Sequence, residues 1–391
     1  MDDLREHLRE LPCGRRLLDA AAGLEGVHLV GGAVRDMLLG LQPRELDVVV
    51  EGDVGELAAR LGVAENHVAH ERFGTVTVRS GTCRWDLAAA RDETYARPGA
   101  LPDVRAARIE QDLTRRDVAI NALALDLATG VVRTVERALD DLDAGRLRVL
   151  HDTSFIDDPT RLWRVARYAA RLGFELERHT AALARQAVRA GAMQTVSGPR
   201  IGNELRLALG EPDPIAALES AVALGLAPWL APDRTLAERA LELLPTDEGH
   251  RDLVVLAASL AAPDDELLAD LEFTAGERAI VRACLSTPAL DDVPRRPSEL
   301  ARMLRGLPVE AVALAGARGW ARPARRWLQD LRHVGLQITG ADLLAAGIAE
   351  GPDVGRRLAA ALDQRLDGAL ADGREAELQA ALEDHGGAAT P

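Results

Sequence analysis

The stretch LVGGAVRDMLLGLQPRELDVVVEGD, Leu29–Asp53, decides the fold of the first half of the chain. Val27–Val30 predicts a short strand, and Val34–Leu39 predicts a helix. Gly31 and Gly32 lie between them and predict a turn without side chains. The free N–H groups at the start of the following helix can hold phosphate oxygens. A Gly-Gly turn is usually only a tight connection, so on this stretch alone both interpretations stay open.

Two acidic residues follow at the start of the next predicted strand, Leu46–Val50. Glu45 and Asp47 project from the same face because strand side chains alternate with a period of two. Asp86, in RWDLA, lies on a further predicted strand, which we expect to be a neighbour in the sheet. Three acids on adjacent strands can hold two Mg²⁺ ions. Taken separately, each acid is better explained as structural.

The pattern along the chain predicts two kinds of structure. Short β-branched runs, including Thr75–Val78 and Arg84–Leu87, alternate with helical stretches such as Gly55–Leu61. They predict a small α/β or α+β head that ends near Arg146. From about Asp158 onward, alanine- and leucine-rich amphipathic segments between Gly and Pro signals predict helices without strands.

Composition limits the class of protein. The 391 residues carry a formal charge of −15, which argues against indiscriminate nucleic-acid binding but allows a local basic patch. All 47 basic residues are arginines, each a planar bidentate donor. No apolar run approaches the roughly 20 residues of a membrane span, and MDDLREHLRE lacks the apolar region of a signal peptide. We therefore expect a cytoplasmic protein.

The three cysteines, Cys13, Cys83 and Cys284, show neither metal-ligand spacing nor an obvious pairing. This usage suits a reducing compartment. The sequence predicts structural burial for each and no disulfide.

Several further motifs follow in a fixed order between residues 27 and 175. They are GGAVRD, the spaced acids, RFGTVTV, DLAAARDETYARPGALPDV, DLTRRDVAINALALD and DDPTRLWRVARYAARLGF. This ordered set resembles the class II tRNA nucleotidyltransferase and poly(A) polymerase family. A later stretch, ITGADLLAAGIAEGPDVGRRL at Ile338–Leu358, resembles the tail of the bacterial CCA-adding group.

The resemblance implies an α+β protein with a polymerase-β-type nucleotidyltransferase head followed by an all-helical neck, body and tail. The implied boundaries are 1–146 for the head, 147–210 for a neck that selects the base, 211–335 for the body and 336–391 for a tRNA-binding tail. Mg²⁺ is the implied cofactor. CTP, ATP and the 3′ end of tRNA are the implied partners, with no membrane and no obligatory protein partner.

The resemblance also implies roles for individual residues. Gly31, Gly32 and Arg35 would bind the triphosphate. Glu45 and Asp47 would be the metal ligands, with Asp86 as the third catalytic acid. The remaining implied nucleotide ligands are Arg116, Asp117, Asn121, Asp158, Arg161, Arg164 and Arg167. The implied tRNA contacts in the tail are Gly351, Gly355, Arg356 and Arg357.

Two of these motifs carry geometric expectations. Asp117 and Asn121 are four residues apart, which predicts one helical face directed at the ribose. Four arginines recur at three- or four-residue spacing in the segment after Pro159 and predict a positive stripe that faces a cleft or water. They are Arg161, Arg164, Arg167 and Arg171. We expect the segment ARDETYARPGALPDV to be a mobile loop over the site.

Base chemistry explains how Asp158 and Arg161 can replace a nucleic-acid template. Cytosine and adenine both present an amino donor beside a ring-nitrogen acceptor, whereas uracil and guanine present a carbonyl in place of the amino group. Asp158 can accept from the amino group, and Arg161 can donate to the ring nitrogen. At about 1–3 kcal/mol per bidentate contact, the pair gives roughly tenfold to hundredfold discrimination.

The sequence departs from the family pattern at two positions. Glu45 stands where the family has Asp, which motivates the alternative of a catalytically retired tRNA-binding protein. Asp157 replaces the usual Glu beside Asp158, a milder change. An NAD-binding oxidoreductase is weakly supported because GGAVRD lacks the G-x-G-x-x-G fingerprint.

The motifs favour a template-independent enzyme that adds CMP and AMP to the tRNA 3′ end. A CC-only, A-only or poly(A)-adding enzyme stays open as an alternative, because the Glu93–Val104 loop has no pattern that specifies one product.

Overall fold

The first half of the chain is built on a mixed β-sheet. The computed structural model describes residues 4–62, 67–70, 75–287, 294 and 296–383, with the side chains of residues 67–70 and 320 left out. The strands are β1 (Val27–Val30), β2 (Leu46–Val50), β3 (His67–His70), β4 (Thr75–Ser80), β5 (Cys83–Ala89), β6 (Arg91–Thr94), β7 (Asp103–Ala106), β8 (Leu123–Asp126), β9 (Val132–Thr134), β10 (Arg146–Leu147) and β11 (Glu175–Leu176).

Seven of these described strands pair in the order β3-β4-β5-β2-β1-β8-β9. β2 is parallel to β5, and the other neighbours in this sheet are antiparallel. β6 and β7 form a separate antiparallel ribbon, and we call this ribbon together with its connecting residues 95–102 the arm. β10 and β11 form a short parallel pair.

Compact unit 1, Met1–Pro228, also contains the first eleven helices. They are α1 (Leu4–Glu10), α2 (Pro12–Ala21), α3 (Gly32–Leu38), α4 (Gly55–Leu61), α5 (Ile109–Thr114), α6 (Ala138–Asp143), α7 (Ser154–Asp157), α8 (Thr160–Leu172), α9 (Arg178–Arg189), α10 (Gly198–Leu209) and α11 (Pro214–Ala223). In a second unit, Trp229–Pro391, helices are the regular elements of the described part, with one isolated β-bridge between Leu230 and Leu260.

Helices α12 to α21 belong to that second unit. They are α12 (Arg234–Leu243), α13 (Arg251–Ser259), α14 (Asp265–Asp270), α15 (Ala275–Ser286), α16 (Pro297–Leu304), α17 (Val309–Ala315), α18 (Ala321–Gln329), α19 (Gly340–Ala345), α20 (Pro352–Leu366) and α21 (Arg374–Leu382). A small core around Ile338, Leu343, Ala361 and Ala381 holds the last three together.

The sheet is buried on both faces, which explains why its strands are continuous apolar runs. Val48 and Val50 of β2 join the larger core formed with α1 to α4, whereas Val49 joins a smaller core that includes Ile109 and Leu113 of α5. This alternation follows from the period of two along a strand. The acids before and within β2 therefore lie where the buried strand begins.

The structure confirms the predicted α+β class with a helical second half. β1, β2 and α4 have the predicted bounds, and α3 begins two residues earlier than predicted. The sequence interpretation omitted β8 and β9, and it allowed no strand beyond Asp158, where the two-residue β11 lies. The predicted neck, body and tail boundaries stay a prediction. The Arg72–Gly74 part of RFGTVTV lies outside the described residues.

Two local expectations were wrong. The ends of the segment expected to be a mobile loop form strands, because β6 and β7 pair from Arg91 with Ala106 to Thr94 with Asp103, and residues 95–102 connect them. The mobility of the segment stays a prediction. Asp117 and Asn121 do not share an α-helix. A β-bridge at Val118 leads into a 3₁₀ turn at Ala119–Asn121, which still brings the two side chains together.

The expectation of no disulfide was also wrong. Cys13 and Cys83 are bonded although 70 residues separate them, because α2 packs against β5. The indole N–H of Trp85, also on β5, donates to the Cys13 carbonyl at 3.2 Å. Cys284 is a buried free thiol, as predicted.

No helix in the described part of the chain has both the length and the apolar character needed to cross a membrane. The cytoplasmic location stays a prediction.

Candidate active site

The parallel pairing of β2 with β5 assembles the three predicted acids. Asp47 lies directly opposite Asp86 in the register, and Glu45 lies one residue before β2. One carboxylate oxygen from each of the three residues lies within 4.8 Å of the others. Hard divalent cations such as Mg²⁺ prefer carboxylate oxygens, so the donor set fits the implied ion.

Asp86 is held from two sides. The Thr77 hydroxyl on β4 donates to its Oδ1 at 2.5 Å, and Arg84 lies 2.9 Å from its Oδ2. Arg84 also reaches within 4.0 Å of Glu45. Arg84 is thus ion-paired with two of the three acids, and the charges of Arg116 and Arg164 act on Asp47 at longer range.

Asp47 shows the electrostatic consequence. Burial, followed by the like charges of Glu45 and Asp86, raises the pKa of Asp47 to about 6. A bound cation would stabilise the ionised carboxylate of Asp47 in this cluster. The raised pKa therefore supports the interpretation of Asp47 as a metal ligand.

The Gly-Gly turn lies against the side chains of Arg116 and Arg35. Gly31 has a φ of 68°, and a Cβ there would lie 2.8 Å from Arg116 Nη1. Glycine is therefore required by both conformation and space. Arg35, expected to bind triphosphate, is buried, and donates to Asp36 Oδ1 at 2.6 and 2.9 Å and to Asn121 Oδ1 at 2.5 Å.

Asp117, expected to contact ribose, is the centre of a buried network. Its Oδ2 accepts from Arg164 Nε at 2.6 Å and from the Tyr168 hydroxyl at 2.9 Å, and its Oδ1 accepts from Asn121 at 3.1 Å. Burial raises the pKa of Asp117, but the charge of Arg164 and these hydrogen bonds outweigh it and hold the pKa well below its usual range. Asp117 thus stays ionised.

Helix α8 contributes the predicted arginine stripe, and the stripe faces a cleft rather than bulk water. Arg161 and Arg167 are buried although charged. The guanidinium carbons of Arg35, Arg164, Arg167 and Arg171 lie 5.4–5.9 Å from the centre of the Tyr168 ring. This convergence lines one wall of the cleft with guanidinium groups.

The predicted base-reading pair lies at the start of the same helix. Asp158 Oδ1 accepts from the Thr160 hydroxyl at 2.7 Å and from Arg200 Nη2 at 2.8 Å. Arg161 donates to the Ser154 hydroxyl at 2.7 Å and to the Arg115 carbonyl at 2.6 Å. These contacts fix both side chains before any base arrives, which is the preorganisation that selective binding needs.

One cleft of about 830 Å³ collects these groups. Its lining includes every predicted catalytic and nucleotide-binding residue, namely Gly31, Gly32, Arg35, Glu45, Asp47, Asp86, Arg116, Asp117, Asn121, Asp158, Arg161, Arg164 and Arg167. The volume suits a ligand of nucleotide size.

Among the polar residues of this unit that sequence reasoning missed are Arg200, Glu211 and Arg44. Arg200 bridges Asp158 and the arm, because its Nη1 donates to the Gly99 carbonyl at 2.8 Å. Glu211 and Arg44 also line the cleft. Each lies far from its partner along the chain, so no spacing pattern marks it.

The predicted tail residues lie at the start of α20. Gly351 is the N-cap, and Gly355 lies in the first turns. Arg356 is exposed and donates to Asp353 Oδ1 at 2.6 Å. Arg357 is largely buried and donates to the Ala381 and Leu382 carbonyls at 3.2 and 3.1 Å. The two arginines thus differ: Arg357 ties α20 to the end of α21.

Comparison with known proteins defines the class. The Poly A polymerase head domain matches residues 27–148. An A-adding tRNA nucleotidyltransferase from Geobacter sulfurreducens is 34% identical over 91% of this chain and 45% of its own length. A CC-adding tRNA nucleotidyltransferase from Deinococcus radiodurans is 36% identical over 90% of this chain and 89% of its own.

Solved structures agree. An apo CCA-adding enzyme superposes with a TM-score of 0.78 at 26% identity, covering 97% of this chain and 95% of that one. The Thermotoga maritima CCA-adding enzyme complexed with tRNA superposes with a TM-score of 0.67 at 27% identity, covering 94% and 93%. A CCA-adding enzyme complexed with CTP gives 0.73 at 26% identity, covering 97% and 99%.

The fold and the acidic cleft are those of a nucleotidyltransferase. The chain belongs to the tRNA nucleotidyltransferase family. It spans about half the length of the A-adding relatives from Geobacter sulfurreducens, at 45%, and Halalkalibacterium halodurans, at 51%.

The acid cluster predicts a stability effect of Asp47→Asn. Because the folded state raises the pKa of Asp47 to about 6, the ionised carboxylate lowers the free energy of unfolding above about pH 6. This destabilisation decreases as the pH falls and is absent below the pKa that Asp47 has in the unfolded chain. At pH 7.5 without divalent ions, Asp47→Asn should stabilise the protein on the order of 1 kcal/mol. The melting temperature should rise by about 2–4 °C, measured by calorimetry.

The same variant should lose the stabilisation that Mg²⁺ gives to the unmodified protein. Asp19→Asn, at an exposed position on α2, is the control. It should change neither the melting temperature without divalent ions nor the stabilisation by Mg²⁺. A folded Asp47→Asn protein that still gains the full Mg²⁺ stabilisation would show that the ion binds elsewhere.

Proposed function

We propose that the chain is a template-independent CCA-adding tRNA nucleotidyltransferase that transfers CMP and AMP from CTP and ATP to the tRNA 3′ end. The observation that carries the proposal is the convergence of three acids, an arginine wall and the Asp158–Arg161 pair on one cleft. The acids suit phosphoryl transfer, the arginines suit a triphosphate, and the pair suits selection of a base.

In the proposed reaction the terminal 3′-hydroxyl of tRNA attacks the α-phosphate of the bound nucleotide. A bond forms from the 3′-oxygen to the α-phosphorus, the bond from that phosphorus to the bridging oxygen breaks, and pyrophosphate and the hydroxyl proton leave. Bound Mg²⁺ would lower the pKa of the hydroxyl and neutralise charge on the leaving group. Glu45 and Asp47 would hold the ion, and Asp86, fixed by Thr77 and Arg84, completes the acidic set.

Glu45 fits this role despite its extra methylene. It lies before β2 rather than within it, and its side chain is 60% exposed. The longer side chain can therefore reach back to the cluster, where its carboxylate lies within 4.8 Å of the other two. This geometry favours an active enzyme over a retired tRNA-binding protein.

Asp158 and Arg161 would select cytosine and adenine by the hydrogen-bond pattern of the base edge. Arg200 orients Asp158 and at the same time contacts the arm at Gly99. The position of the arm and the orientation of the Asp158 side chain are therefore physically linked. This link supports a role for the arm in the choice between CMP and AMP.

A narrower product is the second candidate. Two relatives that align with about nine-tenths of this chain, at 91% and 90%, are named as an A-adding and a CC-adding tRNA nucleotidyltransferase. The same cleft would serve either specificity.

The test is single-nucleotide incorporation on tRNA that lacks CCA, that ends in C, and that ends in CC. The proposal predicts CMP addition to the first two and AMP addition to the third, each dependent on Mg²⁺. AMP addition to the CC end alone, or CMP addition alone, would replace it with the A-adding or CC-adding function. Long adenylate tracts on an unrelated RNA would indicate a poly(A) polymerase, and no incorporation by folded protein would contradict catalysis.

Base selection predicts the effect of Asp158→Ala. Loss of the carboxylate removes both the attraction for an amino group and the repulsion of a carbonyl. Discrimination against UTP and GTP should fall by roughly 1–3 kcal/mol, measured as the ratio of kcat/KM values. Asp157→Ala is the matched control, because that acid instead accepts from Thr153 and should leave the ratio unchanged. An Asp158→Ala enzyme that loses rate equally with all four nucleotides would place selection elsewhere.

The tail predicts a contrast between neighbouring arginines. Exposed Arg356 is available to a tRNA phosphate, so Arg356→Gln should weaken tRNA binding by about threefold to tenfold and reduce its salt dependence by one contact, with an unchanged melting temperature. Arg357→Gln should lower the melting temperature, because carbonyls at the end of α21 lose their donor. Unchanged tRNA affinity in folded Arg356→Gln would remove Arg356 from the tRNA path.

A further inference from the structure

Glu211 is a buried carboxylate at the edge of the cleft that neither the motifs nor the proposed reaction uses. It follows Gly210, the C-cap of α10, and its side chain is 4% exposed. A buried acid needs compensating partners because its charge is otherwise unfavourable in the interior. Its partners are all arginines.

Three guanidinium groups share this one carboxylate. Arg167 Nη1 donates to Oε1 at 3.1 Å, and Arg171 Nη1 lies 3.8 Å from the same oxygen. Arg44 Nη1 donates to Oε2 at 3.4 Å. The described residues give Arg44 and Arg171 no other ion pair, so Glu211 is their shared counter-ion.

The three contacts differ in strength and exposure. Arg167 has the shortest contact, is buried, and has a second carboxylate, Glu204, 3.3 Å away. Arg44 is 47% exposed and joined by a long hydrogen bond, and Arg171 is 20% exposed and only within ion-pair distance. Arg44 and Arg171 are therefore the partners that a competing anion can draw away from Glu211 with the smallest loss of free energy.

The surroundings favour such an anion. The cleft wall around Tyr168 brings four arginines together, and burial followed by the charge of Arg35 lowers the pKa of Arg171. Arg44 lines the same cleft as the three acids, so a group bound by Arg44 shares the cleft with the acidic cluster. A polyphosphate chain offers several negative oxygens that can pair with these arginines together.

We propose that Glu211 is a positioning residue that holds Arg44 and Arg171 in the nucleotide-free enzyme and yields them to the polyphosphate of the incoming nucleotide. Arg167 stays on Glu211 and keeps it anchored. The carboxylate thereby prevents mutual repulsion of the arginines in the empty cleft, and it weakens polyphosphate binding enough for pyrophosphate to leave. The inference rests on the proposed function, because it assigns the polyphosphate to this wall.

The experiment measures binding of inorganic pyrophosphate to the full chain by calorimetry, without divalent ions and at fixed ionic strength. Glu211→Gln keeps the shape but removes the competing charge, so pyrophosphate should bind about fivefold to tenfold tighter. Glu211→Asp keeps the charge and should bind within about twofold of the unmodified protein. In turnover, Glu211→Gln should show a lower KM for CTP, with kcat lowered by slower pyrophosphate release.

A merely structural Glu211 would give a lower melting temperature without tighter binding. Equal or weaker pyrophosphate binding by folded Glu211→Gln would overturn the proposal, as would equal tightening by Glu211→Asp.

Arg44→Gln provides an independent test that does not depend on the buried position tolerating a change. It should weaken pyrophosphate binding about threefold to tenfold, and Glu211→Gln should tighten binding less in that background than in the unmodified protein. Unchanged pyrophosphate binding by Arg44→Gln would contradict the proposal that Arg44 moves from Glu211 to the polyphosphate. Pyrophosphate binding that shifts as expected, in a protein that incorporates no nucleotide, would contradict the proposed function alone.

Discussion

The parallel pairing of β2 with β5 is the constraint on which the site depends. It places Asp47 directly opposite Asp86, with Glu45 just before the strand, so that three carboxylates meet at the point where a buried strand begins. The apolar residues that follow on β2 pack into cores on both faces and leave no freedom in register. A slip by one residue would turn Asp47 away from its partners. The hydrophobic core thus imposes both the burial and the proximity of like charges that raise the pKa of Asp47.

The arginines of α8 form a second set of charges, opposite in sign to the acid cluster. The charge of Arg164 reaches Asp47, but the ion pairs of the α8 arginines are with Asp117, Glu204 and Glu211. The cleft therefore keeps an acidic side suited to a cation and a basic side suited to a polyphosphate. An enzyme that joins a nucleotide to an RNA end needs both sides to face the same space.

Local patterns predicted much of this arrangement. β1 and β2 were predictable because short apolar β-branched runs were bounded by glycines and acids, and the arginine spacing of α8 predicted one face. What failed depended on distant contacts. The Cys13–Cys83 bond and the Arg200 and Glu211 contacts join segments far apart in the chain, so no local pattern contains them. The two strands of the arm were missed because the Pro and Gly residues between them suit any loop, whereas cross-strand pairing makes the ends of this segment a ribbon.

The central claim is that the acids of β2 and β5 and the arginines of α8 bind opposite ends of one metal–nucleotide complex. A crystal structure with Mn²⁺ and a non-hydrolysable CTP analogue tests it most directly, because Mn²⁺ can be located by anomalous scattering. The account predicts Mn²⁺ between Glu45 and Asp47, the triphosphate along the α8 arginines, and the cytosine edge against Asp158 and Arg161. Mn²⁺ or the triphosphate bound outside this cleft would contradict it.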